Sequence, residues 1–271
     1  MDEFRGHLRA ARRVVVKIGT TTLTHKSGKL NLRRIKELAW ALSDLKNSGK
    51  EVILVSSGAI AVGTERLNLP ERPRDTRGKQ AASAVGQAAL MQMYQSFFSD
   101  YNQLTAQILL TRDVLEPGDR RENARSTFNT LLDMGVIPIV NENDAVSTDE
   151  VELDNDSLSA YVAALVEADA LIILSDIAGL YTADPNAAPD AEMIYLVDEI
   201  DDALWKSCTG SSSKLGTGGM ATKLSAAAVT MPLGIDTVVA SGEKPSALYD
   251  ILNGERIGTL FIGRKGVQKW A

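Results

Sequence analysis

Short runs of apolar, β-branched residues alternate with longer segments of helical spacing along almost the whole chain. Seven runs read as strands: 14–18, 52–56, 106–110, 136–140, 171–175, 237–240 and 259–262. Between the first two, Leu32, Ile35, Leu38, Ala39, Leu42 and Leu45 recur on one helical face, with Asn31 as N-cap and Gly49 as the stop. Residues 80–98 are rich in Ala and Met, with Gly86 as their one breaker, and predict a long buried helix. Further helices are expected over 123–134, closed by Gly135, over 156–166, and over 220–231, ended by Pro232 and Gly234. Runs as continuous as VILVS, VIPIV and LIILS have no polar side, so helices must cover both faces of the sheet they form. The expected fold is α/β, a three-layer αβα sandwich around a mainly parallel sheet, in one domain over 1–271. A division near residue 170 would separate an N-terminal lobe from a C-terminal one within that single sheet.

Composition narrows the class. With 44% hydrophobic and 24% charged residues the chain is neither disordered nor a disulfide-stapled mini-protein. A formal charge of −6 gives no electrostatic footprint for nucleic acid. The lone cysteine, Cys208, cannot form an internal disulfide, which suits a reducing cytoplasm. The opening MDEFRGHLRAARR has no apolar run and does not read as a signal peptide. No stretch approaches the roughly 18 apolar residues of a membrane span. Arg72, Arg74, Arg77 and Lys79 form a basic run that reads as a solvated surface loop, and His7 and His25 read as surface residues.

Four segments carry candidate chemistry. The first strand delivers Lys17 and then turns at Gly19 among threonines; in open parallel sheets ligands bind at the carboxyl ends of strands. The alternative is a lysine that merely ends a strand. The second strand ends in Ser57-Gly58 before a helix, where backbone N–H groups favour an anion. After the strand at 136–140 comes Asn141-Glu142-Asn143-Asp144, and ten residues later Asp154-Asn155-Asp156 opens a helix. Capping, metal ligation and recognition of a substrate amine compete for this cluster; no histidine supports a metal, and capping explains Asn155 or Asp156 alone but not both groups. The fourth is Gly216-Thr217-Gly218-Gly219-Met220-Ala221-Thr222-Lys223 at a helix start, a phosphate-binding combination. It matches G-x-G-x-x-A but lacks the strand that a dinucleotide fingerprint requires before it. Upstream, Ser175-Asp176 ends a strand, and residues 179–185 read as a loop able to hold a nucleoside.

In order and spacing, Lys17-Ile-Gly19-Thr, Ser57-Gly58-Ala-Ile, Asn141-Glu-Asn-Asp144, Asp154-Asn-Asp156, Gly179-Leu-Tyr-Thr-Ala-Asp-Pro185 and Gly216-Thr-Gly-Gly-Met-Ala-Thr-Lys223 resemble the amino acid kinase family over essentially the whole chain. The asparagine-rich pair of motifs resembles the branch that phosphorylates glutamate on its γ-carboxylate. That resemblance implies a catalytic pair, Lys17 and Lys223, oriented by Asp156. It implies glutamate binding by Ser57, Gly58, Asp144 and Asn155. It implies ATP binding by Lys17, Gly19, Ser175, Asp176, Thr217, Gly218, Gly219, Met220, Ala221, Thr222 and Lys223. Serine at 175 and alanine at 221 depart from the threonine and serine frequent there, without removing a charge. The resemblance further implies Mg²⁺ carried on the nucleotide phosphates, with no dedicated protein metal site. It implies feedback inhibition by proline and a homo-oligomer, dimer or tetramer, built through N-terminal-lobe helices. Many members of the branch continue into a PUA domain; this chain stops near Ala271 and is similar to the form without it, or is truncated. The alternatives are a family member acting on N-acetylglutamate, aspartate, carbamate or UMP, a non-catalytic sensing domain of the same fold, and an NAD-dependent enzyme.

Overall fold

Alternation along the first strand sets the layers. In the computed structural model, which describes residues 3–25, 27–147, 154–183, 188, 190–209 and 219–264, β1 (Arg13–Ile18) sends Val14, Val16 and Ile18 to one face and Val15 to the other. Each set joins a separate apolar cluster. The other strands are β2 (Glu51–Ser56), β3 (Thr105–Leu110), β4 (Ile137–Glu142), β5 (Ala170–Ser175), β6 (Leu180–Tyr181), β7 (Met193–Ile194), β8 (Leu196–Val197), β9 (Asp236–Ser241) and β10 (Thr259–Phe261). Eight of the described strands form one sheet in the order β3-β4-β2-β1-β5-β9-β10-β8. All neighbours run parallel except β9 and β10. The four strands before residue 170 lie on one side of the β1–β5 seam and the four after it on the other.

The helices are α1 (Thr20–Leu23), α2 (Leu32–Asn47), α3 (Ala59–Arg66), α4 (Thr76–Ser99), α5 (Arg112–Leu115), α6 (Asp119–Asp133), α7 (Asn155–Leu165), α8 (Asp202–Thr209), α9 (Met220–Thr230) and α10 (Ala247–Leu252). On the Val14 face, Leu38 and Leu42 of α2, Leu90, Tyr94 and Phe98 of α4 and Ile251 of α10 fill the core. On the Val15 face, Phe128 of α6, Leu158 and Val162 of α7 and Leu224 of α9 do so. This is the αβα sandwich expected from the continuous apolar strands. At the sheet's amino end the buried Arg5 guanidinium donates to the carbonyls of Tyr195, Glu255, Ile257 and Gly258, pinning the N-terminal segment to the C-terminal strands.

Several boundaries differ from the sequence reading. Asn141 and Glu142 do not follow the fourth strand but end it, in register with Leu109 and Leu110. The long helix starts at Thr76, capped by Asp75, whose side chain accepts from the Gly78 N–H at 2.9 Å. Arg77 and Lys79 are therefore helical rather than part of a loop, while Arg72 and Arg74 stay in the exposed loop. That helix buries one face only; Val85 is 41% exposed. Within the supposed nucleoside loop, Leu180 and Tyr181 form a strand antiparallel to Met193 and Ile194, because buried Leu180 packs into the core; Asp184 and Pro185 lie outside the described residues.

Helices α3 and α4 touch through glycine. A Cβ on Gly86 would lie 1.8 Å from the Ala59 carbonyl oxygen, and one on Gly63 would lie 1.7 Å from that of Ala82. Backbone faces backbone at both points, so neither neighbour can yield by a rotamer change. Gly86→Ala is expected to lower the free energy of unfolding by about 1–3 kcal/mol, read as a lower urea midpoint at unchanged slope. An unchanged midpoint would contradict this close approach.

Candidate active site

Lys17 shares the parity of Val15 in β1, so its side chain projects toward the α7 and α9 layer at the carboxyl end of the strand. There its Nζ meets Asp156 Oδ1 at 2.7 Å. Lys223, in the first turns of α9, places its Nζ 3.2 Å from Asp156 Oδ2. The Thr222 hydroxyl donates to the same oxygen at 2.6 Å. Lys17, Asp156 and Lys223 are 7%, 1% and 2% exposed. One buried carboxylate thus ties together β1, α7 and α9.

Local structure explains why Asp156 is free for this task. The cap of α7 is Asp154, whose Oδ1 accepts from the backbone N–H groups of Asp156 and Ser157 at 3.0 Å each. With Asp154 closing the helix, the side chains of Asn155 and Asp156 point elsewhere. A carboxylate in a first helical turn is also favoured by the macrodipole, whereas an ammonium there is not. Asp156 offsets that unfavourable placement of Lys223 at the start of α9. Burial by itself would push the Asp156 carboxyl up. The charges of Lys17 and Lys223, with the hydrogen bonds from Lys17 and Thr222, outweigh it and hold the carboxyl below its usual 3.8. Two ammonium groups against one carboxylate leave the trio formally positive, which suits an anion.

The trio lies where β1 is flanked by β2 on one side and β5 on the other, the point at which the strand order reverses. Open α/β sheets bind ligands in that crevice. Gly19 lies beside the Lys17 ammonium: a Cβ there would sit in ordinary contact, 3.5 Å from Nζ. Gly58 caps α3 with φ +106°, a left-handed conformation that favours glycine. Next to it, Ser57 Oγ accepts from Asn155 Nδ2 at 2.8 Å. The other amide atom, Asn155 Oδ1, is buried without a hydrogen-bond partner among the described residues. Asp144 sits in a second group, accepting from the Ser83 hydroxyl of α4. On the β5 side, the Ser175 hydroxyl donates to exposed Asp176 at 3.0 Å.

The structure therefore gathers Lys17, Gly19, Asp156, Thr222 and Lys223 directly, and joins Ser57 to them through Asn155. Gly219 caps α9, with Met220 and Ala221 half-buried beside it. Thr217 and Gly218 lie outside the described residues. Sequence reasoning treated Thr222 only as part of a nucleotide segment and missed its bond to Asp156. It also missed Ser83 and the capping by Asp154, although an aspartate two residues before another at a helix start was a usable signal. His7 and His25 are exposed, and the described residues contain no group of three or more His, Cys, Asp or Glu that could hold a metal. No described helix is long and apolar enough to cross a membrane.

The sequence matches the amino acid kinase family over residues 12–241. The chain belongs to that family. Among curated relatives it is 53% identical to "Glutamate 5-kinase" of Clostridium perfringens, covering 97% of this chain and 99% of that protein. It is 49% identical to "Glutamate 5-kinase" of Listeria monocytogenes, covering 96% of each. The protein of that name from Moorella thermoacetica is longer: at 50% identity the match covers 97% of this chain and 70% of the relative. Among solved structures, Giardia lamblia carbamate kinase aligns with a TM-score of 0.67 and 18% identity over 94% of this chain and all of that one. Isopentenyl phosphate kinase of T. acidophilum aligns at 0.65 and 18% identity over 92% of this chain and 99% of that one. These two likenesses establish the fold.

Removing the shared carboxylate tests the trio. Asp156→Asn takes the shared carboxylate from two buried ammonium groups and is expected to cost about 3–5 kcal/mol of stability at neutral pH. The pH dependence has a definite sign. Because the folded-state pKa is depressed, Asp156 binds fewer protons folded than unfolded. Its contribution is complete above the ordinary carboxylate range and is lost as pH falls through the depressed value. Denaturant unfolding as a function of pH should show that acid-side loss in the wild type and a smaller one in Asp156→Asn. Equal stability of the two proteins at pH 7 would contradict the geometry.

Proposed function

We propose that this chain transfers the γ-phosphoryl group of ATP to the γ-carboxylate of L-glutamate, giving L-glutamyl 5-phosphate and ADP, the first step of proline biosynthesis from glutamate. The observation that carries the phosphoryl-transfer reading is the convergence of Lys17 and Lys223 on Asp156. The names of the relatives at about 50% identity support glutamate as acceptor.

The chemistry asks for fixed positive charge rather than a base. A glutamate γ-carboxyl has a pKa of about 4.3, so at neutral pH it is already an anionic nucleophile. Its obstacle is the γ-phosphate: two unit charges 4 Å apart repel by roughly 4 kcal/mol at an effective dielectric of about 20. Lys17 and Lys223 would flank the transferred group and stabilise the charge on its equatorial oxygens while carboxylate and leaving oxygen stay in line. Asp156 would hold both ammonium groups at fixed separation before substrate arrives, so little reorganisation is needed during transfer. Backbone N–H groups around Gly19 and Gly58 would add donors to the same anion.

On the acceptor side, Asp144 and the unpartnered Asn155 Oδ1 both suit the α-ammonium of a free amino acid. An acylated amino acid has no such group to offer. Ser57, tied to Asn155, would bind the same substrate. Ser175, Asp176 and the segment Thr217, Gly218, Gly219, Met220, Ala221, Thr222 would hold ATP. Strands β1–β4 would then carry the acceptor half, about 1–170, and β5 with β8–β10 the nucleotide half, 171–271. Mg²⁺ would supply charge neutralisation on the nucleotide phosphates, held by them and by water. Asp156, the buried carboxylate of the trio, fits that arrangement: its oxygens already serve two ammonium groups and a hydroxyl. Proline is the expected feedback inhibitor, the cytoplasm the expected compartment, and a homo-oligomer through N-terminal-half helices such as α4 the expected assembly.

The acyl phosphate product is labile, and hydroxylamine should trap it as the hydroxamate in a reaction that needs both ATP and glutamate. ATP-dependent ADP release without hydroxamate, or hydroxamate formation from N-acetylglutamate or aspartate in place of glutamate, would overturn the acceptor. Lys223→Ala is expected to lower kcat by about 10²–10³-fold with a small change in glutamate KM; a loss confined to KM would remove Lys223 from the transition state. Asp144→Ala should act the other way, raising glutamate KM with kcat largely kept.

A further inference from the structure

The face that α4 turns toward the sheet is not uniformly apolar. Gln80, Ser83, Gln87 and Tyr94 fall within about 60° of one another around the helix at 100° per residue. They form a polar stripe about 21 Å long at 1.5 Å per residue. Every member bonds the carboxyl end of a strand that carries site residues, or the segment just after it. The Tyr94 hydroxyl lies 2.8 Å from Ser56 Oγ, one residue before Ser57. Gln87 Oε1 accepts from Asn141 Nδ2 at 2.9 Å. The Ser83 hydroxyl donates to Asp144 Oδ2. Gln80 Nε2 donates to the Ser147 carbonyl at 2.9 Å.

These contacts have a register. As the helix positions rise from 80 to 83 to 87, their partners fall from 147 to 144 to 141. Residues 141–147 therefore run antiparallel along α4 with one bond per helical turn. The segment is also closed on itself: the N–H groups of Val146 and Ser147 donate to the Asn143 carbonyl at 3.1 Å, and the Ser147 hydroxyl donates to Glu142 Oε1 at 2.7 Å. Ser83, Gln87 and Asn141 are buried. Polar groups in such places cost free energy unless each is matched, so a shifted register would break several bonds at once. An alanine-rich helix could pack against the sheet without any of them. What the stripe adds is placement of the segment that bears Asp144.

We propose that Ser83 and Gln87 are positioning residues of the acceptor site, holding Asp144 and Asn141 in register from helix α4. This rests on the reading of Asp144 as a ligand of the glutamate ammonium. The Ser83 hydroxyl makes a charge-assisted bond to the carboxylate. Without it the carboxylate loses one of the bonds that direct it, which weakens substrate binding rather than phosphoryl transfer.

Steady-state kinetics of four variants test this. Ser83→Ala should raise glutamate KM about tenfold, with ATP KM and kcat within about twofold of wild type by the same reasoning. Its melting temperature should stay near wild type, since alanine is the best helix former. Gln87→Met, which keeps the volume, should show the same split of KM against kcat through Asn141. In the pair Ser83→Ala/Asp144→Ala, glutamate KM should be no higher than in Asp144→Ala alone, because Ser83 then has nothing to hold. Unchanged glutamate KM in both Ser83→Ala and Gln87→Met, or additive effects in the pair, would overturn the positioning role. So would a fall in kcat that tracks the melting temperature. If Asp144→Ala itself leaves glutamate KM unchanged, the acceptor reading fails first and takes the proposal with it.

Discussion

A single carboxylate holds the site together. Asp156 is a shared counter-charge of two buried lysines that arrive from a central strand and from the start of a distant helix. The cost of burying the carboxylate is offset because both ammonium groups and the Thr222 hydroxyl converge on it. That balance is also what a phosphoryl-transfer site needs. Under the proposed function, two buried ammonium groups on one carboxylate are positive charge already in place to offset the repulsion between two anions.

The fold serves this convergence in two ways. The period of two along β1 turns Lys17 toward the layer that holds α7 and α9, while Val16 and Ile18 anchor the opposite face. The strand order reverses between β1, β2 and β5, the position at which open α/β sheets bind ligands. Carbamate kinase and isopentenyl phosphate kinase share this architecture at 18% identity. Their names give different substrates, so the architecture by itself does not choose an acceptor. Choice has to reside in side chains at the site rather than in the layers, and the proposed acceptor contacts, Asp144 and Asn155, stand just after β4 and in the first turn of α7.

Much of the layer order was legible in the sequence because continuous apolar strands leave no polar side to face water. Lys17 and Lys223 stood out at a strand end and a glycine-rich helix start. Their link through Asp156 came only from the family resemblance, because position alone left capping and other readings open for that aspartate. The misreadings have physical causes. Asn141 and Glu142 were placed beyond their strand because polar residues in a ladder look like a turn until the neighbouring strand is seen to pair with them. The first turn of α4 is basic and glycine-containing and reads as loop, although Asp75 caps it ahead of the apolar pattern. Gln80, Ser83 and Gln87 were absorbed into an apolar pattern, although their spacing of three and four placed them on one stripe. Their partners lie about 60 residues away, and no local pattern announces a contact at that distance. The antiparallel pairings of β10 with β9 and of β6 with β7 join nearer partners, yet they too depend on strands outside any local run of apolar residues.

The most direct test of the shared counter-charge is a crystal structure with ADP, Mg²⁺, glutamate and aluminium fluoride as a mimic of the group in flight. Nζ of residues 17 and 223 should each hydrogen-bond an equatorial fluoride from opposite sides, with both still joined by the carboxylate of residue 156. Either ammonium turned away from the fluoride, or a carboxylate that contacts only one of them, would contradict it.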